Sequence, residues 1–354
     1  MTKLKEHKPS KMEALKAMTP GDRKRAIIDA IMNNAMFIII GLVIIYVTIK
    51  EPSFLSAPSI INIINLTAAK LPIALGVGGC IILAGTDISA GRQVGLAACI
   101  SAGLQLTNNK LFPGLGIMPI PVVLLCVLAA GAIVGLVNGF FMAKFKLHPF
   151  IVTLSTQLIV YGLVLLFMQL GTNGGQTLSG MSQTYRDFII KPLFSIQGVS
   201  VPRYVLYSAF ITFIVWVIWN KTAFGKNMYA VGSNEEAANV SGVNVMKTII
   251  LVFVMAGMLY GITGFMDAAR ISSVNATTGL NYESDAIAAC VIGGISFVGG
   301  IGKISGAIIG VLLLQIIFVG LNYLSVDANY LYIVKGLIIL IACSIDMRKY
   351  LVRK

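Results

Sequence analysis

Residues 119–143 read PIPVVLLCVLAAGAIVGLVNGFFMA, a run of 25 residues without a charged side chain. About 20 apolar residues in a helix cross the roughly 30 Å of hydrocarbon in a lipid bilayer. In lipid no water satisfies the backbone, and a helix is the open-chain structure that bonds its own polar groups. This stretch therefore predicts a membrane-spanning helix.

The rest of the chain has a matching composition. Its 354 residues are 57% hydrophobic and only 12% charged, whereas about 25% of residues are charged in soluble proteins. We predict an all-α, polytopic membrane protein with about ten transmembrane helices. The spans lie near residues 30–50, 60–84, 90–107, 119–143, 149–170, 203–220, 247–270, 285–300, 304–323 and 328–346. Glycine breaks the spans 60–84, 90–107 and 285–300, which makes simple crossings least secure there.

Lysine and arginine are concentrated in alternate connections. Under the ten-span interpretation, eighteen of the 27 lie on one side of the membrane and about six on the other. Cytoplasmic loops carry the excess of positive charge. We therefore expect cytoplasmic tails at residues 1–29 and 348–354, flanking a transmembrane domain at residues 30–347. The net charge of +13 is explained better by this orientation than by nucleic-acid binding.

A polar segment at residues 221–246 interrupts two long apolar runs on the predicted cytoplasmic side. It contains Asn234, Glu235, Glu236, Ala237 and Ala238 in succession, and Gly242 follows as a helix-ending residue. Such a compact polar element is suited to contact a soluble partner. The predicted external loop at residues 171–202 is also long; it covers the mouth of a pathway or meets an external partner.

Two glycine-rich segments share a spacing. Gly79, Gly85, Gly91 and Gly95 are matched 215 residues later by Gly294, Gly300, Gly306 and Gly310. A duplicated broken helix, as found in transporters, explains the match. Close helix packing through small residues is the simpler explanation. In the ten-span arrangement the two segments run in the same direction.

Charged residues inside or beside apolar runs, and polar residues next to them, are candidates for a gate or a pathway. An unpaired charge in hydrocarbon costs about 2.5–3.5 kcal/mol even on lenient scales, so such a residue must face protein or water. The first group is Asp87, Ser89 and Arg92. Asp87 either caps the helix that follows or belongs to a gate. Arg92 lies five residues on, so we do not expect it to pair with Asp87 within one helix.

The second candidate group is Glu283 and Asp285, next to a predicted span. Asp285 is placed to cap that span, and Glu283 to face an external vestibule. In the preceding span Asp267 and Arg270 are three residues apart and can share a helix face. Capping and surface pairing are the alternatives to a contact with a transported solute.

The sequence contains no group of residues that is typical of an enzyme active site. His7 and His148 form no metal site, and the five cysteines lie in spans without metal-ligand spacing. Gly302-Lys303 resembles the end of a phosphate-binding loop, but Phe297 and Ile304 break the pattern. We therefore expect no catalysis, no bound metal and no cofactor on this chain.

The polar segment and the motifs around it resemble a known family. Glu236-Ala237-Ala238-x-x-x-Gly242 is similar to the coupling-helix signature in permease subunits of ATP-binding-cassette (ABC) importers. The motifs Gly85-Thr86-Asp87-Ile88-Ser89-Ala90-Gly91-Arg92-Gln93, Asn138-Gly139 and Asp285-Ala286-Ile287-Ala288-Ala289 look like those of monosaccharide permeases of the ribose and galactose type. The form of the first motif is most similar to galactose/methyl-galactoside permeases.

The resemblance implies a type II-like permease that imports a monosaccharide by alternating access, with galactose or methyl-galactoside first and ribose next. It further implies a homodimer in a bacterial inner membrane, a cytoplasmic ATPase subunit that uses ATP and grips the helix at residues 236–242, and a periplasmic or lipid-anchored sugar-binding protein outside. An ion-coupled secondary transporter and an intramembrane enzyme are the competing classes. The secondary transporter would need embedded acid or histidine relays, and Asp87 is the main candidate.

Overall fold

The computed structural model describes residues 35–108 and 111–351. The predicted tail at residues 1–29 lies outside them. Within these residues the chain forms thirteen α-helices and four short strands, so the predicted all-α class is confirmed. The helices are α1 Ala35–Lys50, α2 Ala57–Ile82, α3 Ala90–Gln105, α4 Ile120–Phe145, α5 Pro149–Met168, α6 Gln183–Ile190, α7 Arg203–Lys221, α8 Ala223–Ser233, α9 Glu235–Val240, α10 Val245–Ile271, α11 Tyr282–Ile292, α12 Ile304–Tyr323 and α13 Ala328–Leu351.

In the described part of the chain, six helices are long and apolar enough to cross a membrane: α2, α4, α5, α7, α10 and α12. Nine of the ten predicted spans coincide with helices over most of their length. The span predicted at 285–300 is wrong as a simple crossing, because α11 ends at Ile292 and a turn leads to α12. Helix α13 continues to Leu351, into the predicted carboxy-terminal tail.

Helix α10 is central to the bundle, since it buries 16 of its 27 residues and packs against α2, α3 and α4. Its closest neighbour is α4, on which Gly131, Gly135 and Gly139 face the α10 backbone. A Cβ atom at Gly131 would overlap the carbonyl oxygen of Gly257. Without a hydrophobic force between helices in lipid, such small residues allow the backbone approach that holds membrane helices together.

Four of the matched glycines also lie at close backbone contacts. A Cβ atom at Gly91 or Gly95 would overlap carbonyl oxygens at residues 278–279, and one at Gly306 or Gly310 would overlap those at residues 293 and 289. The helix ends do not follow the 215-residue spacing, because the left-handed residues that end α2 and α11, Ala84 and Gly294, are 210 apart. These contacts favour the packing explanation.

The predicted external loop at residues 171–202 is folded. Strand β1 (Leu178–Ser179) pairs with β4 (Ser273–Val274), and β2 (Pro192–Ile196) forms an antiparallel hairpin with β3 (Val199–Pro202). In α6, the buried Tyr185 hydroxyl donates to the Phe265 carbonyl of α10. Burial raises the pKa of Tyr185, so the hydroxyl stays protonated as a donor. The loop is thereby attached to the central helix.

Candidate coupling surface and buried polar groups

Capping residues mark the starts of the two short helices in the polar segment. The Thr222 hydroxyl accepts from the Gly225 amide at 3.2 Å, which caps α8. The Asn234 side chain accepts from the Ala237 amide at 2.9 Å, which caps α9. Glu235 and Glu236 occupy the first turn of α9, where negative charge is favourable next to free amides. A six-residue helix therefore begins immediately after α8.

Gly242 ends α9. Its amide donates to the Asn239 carbonyl at 3.0 Å, and the Val243 amide donates to the Ala238 carbonyl at 3.0 Å. This pair of bonds closes a helix through a residue in the left-handed region, and Gly242 has φ +85°. The short connection then reaches Asn244, whose side chain caps α10. Both ends of α9 are thus fixed within a few residues.

Helix α9 presents a continuous exposed face, which we call the coupling surface: Glu235, Glu236, Ala237, Asn239 and Val240. Val240 is 89% exposed, an unusual value for an aliphatic side chain, whereas Ala238 is 4% exposed and packs inward. The structure brings all six predicted coupling residues together at this helix and its two ends. Sequence reasoning had not included Val240.

The first group of buried candidates centres on the Ser89 hydroxyl. It donates to Asp87 Oδ1 at 2.5 Å and accepts from Gln93 Nε2 at 2.9 Å and from Asn138 Nδ2 at 3.1 Å. A hydroxyl has one donor and two acceptor positions, so Ser89 is fully used. We call these four residues the buried polar centre; each is at most 2% exposed.

Two amide oxygens of the buried polar centre, Gln93 Oε1 and Asn138 Oδ1, have no hydrogen-bond partner within the described residues. Asp87 Oδ1 also accepts from the Ser89 amide at 2.9 Å, just before α3 begins. Ser89 is the residue that caps α3, so Asp87 bonds to the capping residue rather than to an amide of the helix itself. The candidates chosen from the sequence did not include Gln93 and Asn138, although Asn138 is a side-chain amide inside the charge-free run 119–143.

Arg92 belongs to a separate site. Its Nη1 donates to the Ala276 carbonyl at 3.1 Å, and its guanidinium lies 4.1 Å from the centre of the Tyr161 ring. The structure therefore does not join Arg92 to Asp87, as the spacing predicted. Arg92 instead connects α3 to α5 and to the segment that follows β4.

The second candidate group corrects two predictions. The residue that precedes α11 as its cap is Asn281, with φ +63°, so Asp285 does not cap the helix. Asp285 instead forms an ion pair with Lys335 of α13 at 2.8 Å. Glu283 is 7% exposed, rather than open to a vestibule, because Gly91 leaves room for its carboxylate against α3.

More charges surround this ion pair. The Lys70 ammonium of α2 lies 2.6 Å from the centre of the Tyr282 ring, and Asp267 pairs with Arg270 at 2.7 Å, as their spacing predicted. Lys70 and Lys335 were missed, although a lysine inside an apolar span was visible in the sequence. A cavity of about 10 Å³ beside Lys70, Tyr282 and Asp285 has room for about one water. This part of the bundle is closed to a larger solute.

Several known proteins are similar to this chain over most of its length. The model of a family described as "branched-chain amino acid transport system / permease component" matches residues 59–343. The galactose/methyl galactoside import permease protein of Haemophilus influenzae is 42% identical over 92% of this chain and 97% of its own length. The corresponding protein of Escherichia coli is 39% identical over 94% and 98%. The ribose import permease protein of Bacillus subtilis is 35% identical over 93% and 97%. No solved structure matches significantly.

Proposed function

The chain belongs to this family of transport-system permease components, and from that premise we propose that it is the membrane-spanning subunit of an ATP-driven importer of monosaccharides. Galactose or a methyl galactoside is the expected substrate, and ribose is the next. The subunit translocates its solute rather than catalysing a reaction. The relatives lend no support to an ion-coupled transporter.

The observation that carries the proposal is the extent of the similarity. Relatives named for galactoside import are about two-fifths identical to this chain over more than nine-tenths of both lengths. The relative named for ribose import covers as much of the chain at lower identity. The order of the two sugar classes follows from this difference.

A separate ATPase subunit would supply the energy, and it would dock on the coupling surface. An exposed valine between polar neighbours is suited to a small pocket on a partner, where a central apolar contact contributes most to binding. Closure of the ATPase around ATP would displace α9 and favour one of two arrangements of the bundle. In this proposal ATP binds the partner, and this chain holds no cofactor.

The buried groups are proposed to line or gate the pathway. The two free amide oxygens of the buried polar centre are acceptors, and the hydroxyl groups of a sugar are donors that can satisfy them. The Asp285–Lys335 pair and Lys70 would close the bundle around the water-sized cavity. Glu283 would hold α11 against α3 nearby, and Arg92 would hold α3 against α5.

The remaining partners follow from the predicted orientation. Both termini and α9 would face the cytoplasm of a bacterial cell, and the folded segment at 171–202 would face outward to a periplasmic or lipid-anchored sugar-binding protein. A second copy of this chain would complete the pathway as a homodimer.

The test is uptake into proteoliposomes that contain the chain, with the ATPase subunit, the binding protein or both left out in turn. We expect uptake of labelled galactose or methyl galactoside only when all components and ATP are present, with slower uptake of ribose. Transport by the chain alone, driven by a proton or sodium gradient, would contradict the proposal.

A further inference from the structure

The turn between α11 and α12, at residues 296–302, lies against the helix that precedes the coupling surface. The Tyr229 hydroxyl of α8 donates to the Gly302 carbonyl at 3.0 Å. Burial raises the pKa of Tyr229, so this hydroxyl stays protonated as a donor. One turn later, Ser233 of α8 contacts Gly300. Helix α8 is therefore joined to both ends of the segment 300–302.

The same turn holds the end of α2. The Gly300 amide donates to the Ile82 carbonyl at 2.8 Å, which would otherwise be a free carbonyl at the end of that helix. Gly232 of α8 packs against the same carbonyl group, since a Cβ atom on Gly232 would overlap the Ile82 carbonyl oxygen. Five residues after Ile82 the chain reaches Asp87 in the buried polar centre.

Helix α13 fixes the other end of the turn. The Asp346 carboxylate accepts from the Ser296 hydroxyl at 2.9 Å and from the Phe297 amide at 3.2 Å. Within the turn, the Ser296 amide donates to the Ile301 carbonyl at 3.0 Å and the Gly299 amide donates to the Ser296 carbonyl at 3.1 Å. The turn is thus a bonded unit attached to three different helices.

We infer that the turn at 296–302 is a junction that carries displacement of the coupling surface to the ends of α2 and α11, with Tyr229 and Asp346 as its positioning residues. The inference rests on the proposed function. Asn234 alone separates α8 from α9, so a shift of α9 either breaks the contacts of α8 with the turn or moves the turn with it. Close-packed contacts transmit such strain rather than absorb it.

A contiguous set of contacts does not establish coupling, so the test has to separate transmission from stability. Tyr229→Phe removes one hydroxyl and keeps the ring. Tyr207→Phe is the matched control, because the Tyr207 hydroxyl donates to the Phe188 carbonyl at 2.9 Å away from the junction. Both variants are assembled with the ATPase and the binding protein in proteoliposomes, and sugar uptake and ATP hydrolysis are measured together.

We expect Tyr229→Phe to lower uptake per ATP hydrolysed by about 3- to 10-fold, in line with the loss of one hydrogen bond, while Tyr207→Phe keeps the unmodified ratio. An unchanged ratio in folded Tyr229→Phe would overturn the inference, as would uptake and hydrolysis falling in proportion. If Tyr229→Phe does not fold, Ser296→Ala, which removes a donor to Asp346, is measured instead. An unchanged ratio of uptake to ATP hydrolysis in that variant would overturn the inference. If the unmodified assembly imports no sugar, the proposed function is rejected, and the inference about the junction is rejected with it.

Discussion

The coupling surface and the buried groups are built in opposite ways. The coupling surface uses neighbours in sequence, because Asn234 caps α9 and Gly242 ends it within a span of nine residues. The buried groups join residues that are far apart, such as Ser89 with Asn138 and Asp285 with Lys335. Damage to the buried groups should therefore lower stability and transport together. Damage to the coupling surface should leave a stable bundle that no longer uses ATP productively.

The largest effect is expected at the Asp285–Lys335 pair. Asp285→Ala leaves a cation without its partner in a largely buried place, and we expect a loss of about 2–4 kcal/mol in stability. Thermal unfolding of the purified chain in detergent measures it. The double variant Asp285→Lys with Lys335→Asp is the control and should recover part of the loss. Equal unfolding temperatures for Asp285→Ala and the unmodified chain would contradict a structural role for the pair.

A smaller loss is expected at the buried polar centre. Ser89→Ala leaves the amides of Gln93 and Asn138 without their acceptor, which costs about 1–3 kcal/mol. Ser155→Ala is the control, because that hydroxyl bonds only to the carbonyl one turn earlier on an exposed helix face. Unfolding temperature and sugar uptake should both fall for Ser89→Ala alone. Normal values of both would show that the centre has no structural importance.

At the coupling surface, Gly242→Val should separate stability from transport. A side chain at φ +85° strains the backbone by about 1–2 kcal/mol, although a Cβ atom there meets open space. We expect membrane insertion to persist while uptake falls about 10-fold or more, because α9 is no longer presented correctly. Gly114→Val is the control, with φ +88° and open space in the connection before α4. Normal sugar-stimulated hydrolysis and uptake in Gly242→Val would reject the assignment of α9.

The smallest change in stability is expected at the cap of α9. Asn234→Ala removes the acceptor for the Ala237 amide and should weaken this short helix by about 1 kcal/mol. Because five of the six residues of α9 are exposed, we expect the unfolding temperature to be unchanged while uptake per ATP decreases. Asn234→Ser keeps a capping oxygen and should restore the ratio. Equal coupling in all three proteins would mean that the cap does not matter.

The sequence predicted the fold and the position of the short helix α9 well because their signals are local. Long apolar runs mark the spans, and an asparagine, two glutamates and a glycine mark α9. The buried groups were predicted only in part, since nothing local pairs Asp285 with Lys335 or brings Asn138 to Ser89. The span at 285–300 was wrong for a related reason: Gly294 ends α11 with φ +83°, and the adjacent Gly293 lies against Gly306 of α12, a contact that the sequence does not show.

The most direct test of this account is the binding of the purified ATPase subunit to the chain in lipid nanodiscs. Val240→Asp places a charge on the most exposed aliphatic side chain of α9, and we expect it to weaken binding by about 10-fold or more, as for a central contact in an interface. Gln176→Asp, an exposed position on the predicted external side, should bind as the unmodified chain does. Equal affinity of the ATPase for Val240→Asp and the unmodified chain would contradict the proposal that the ATPase docks on α9.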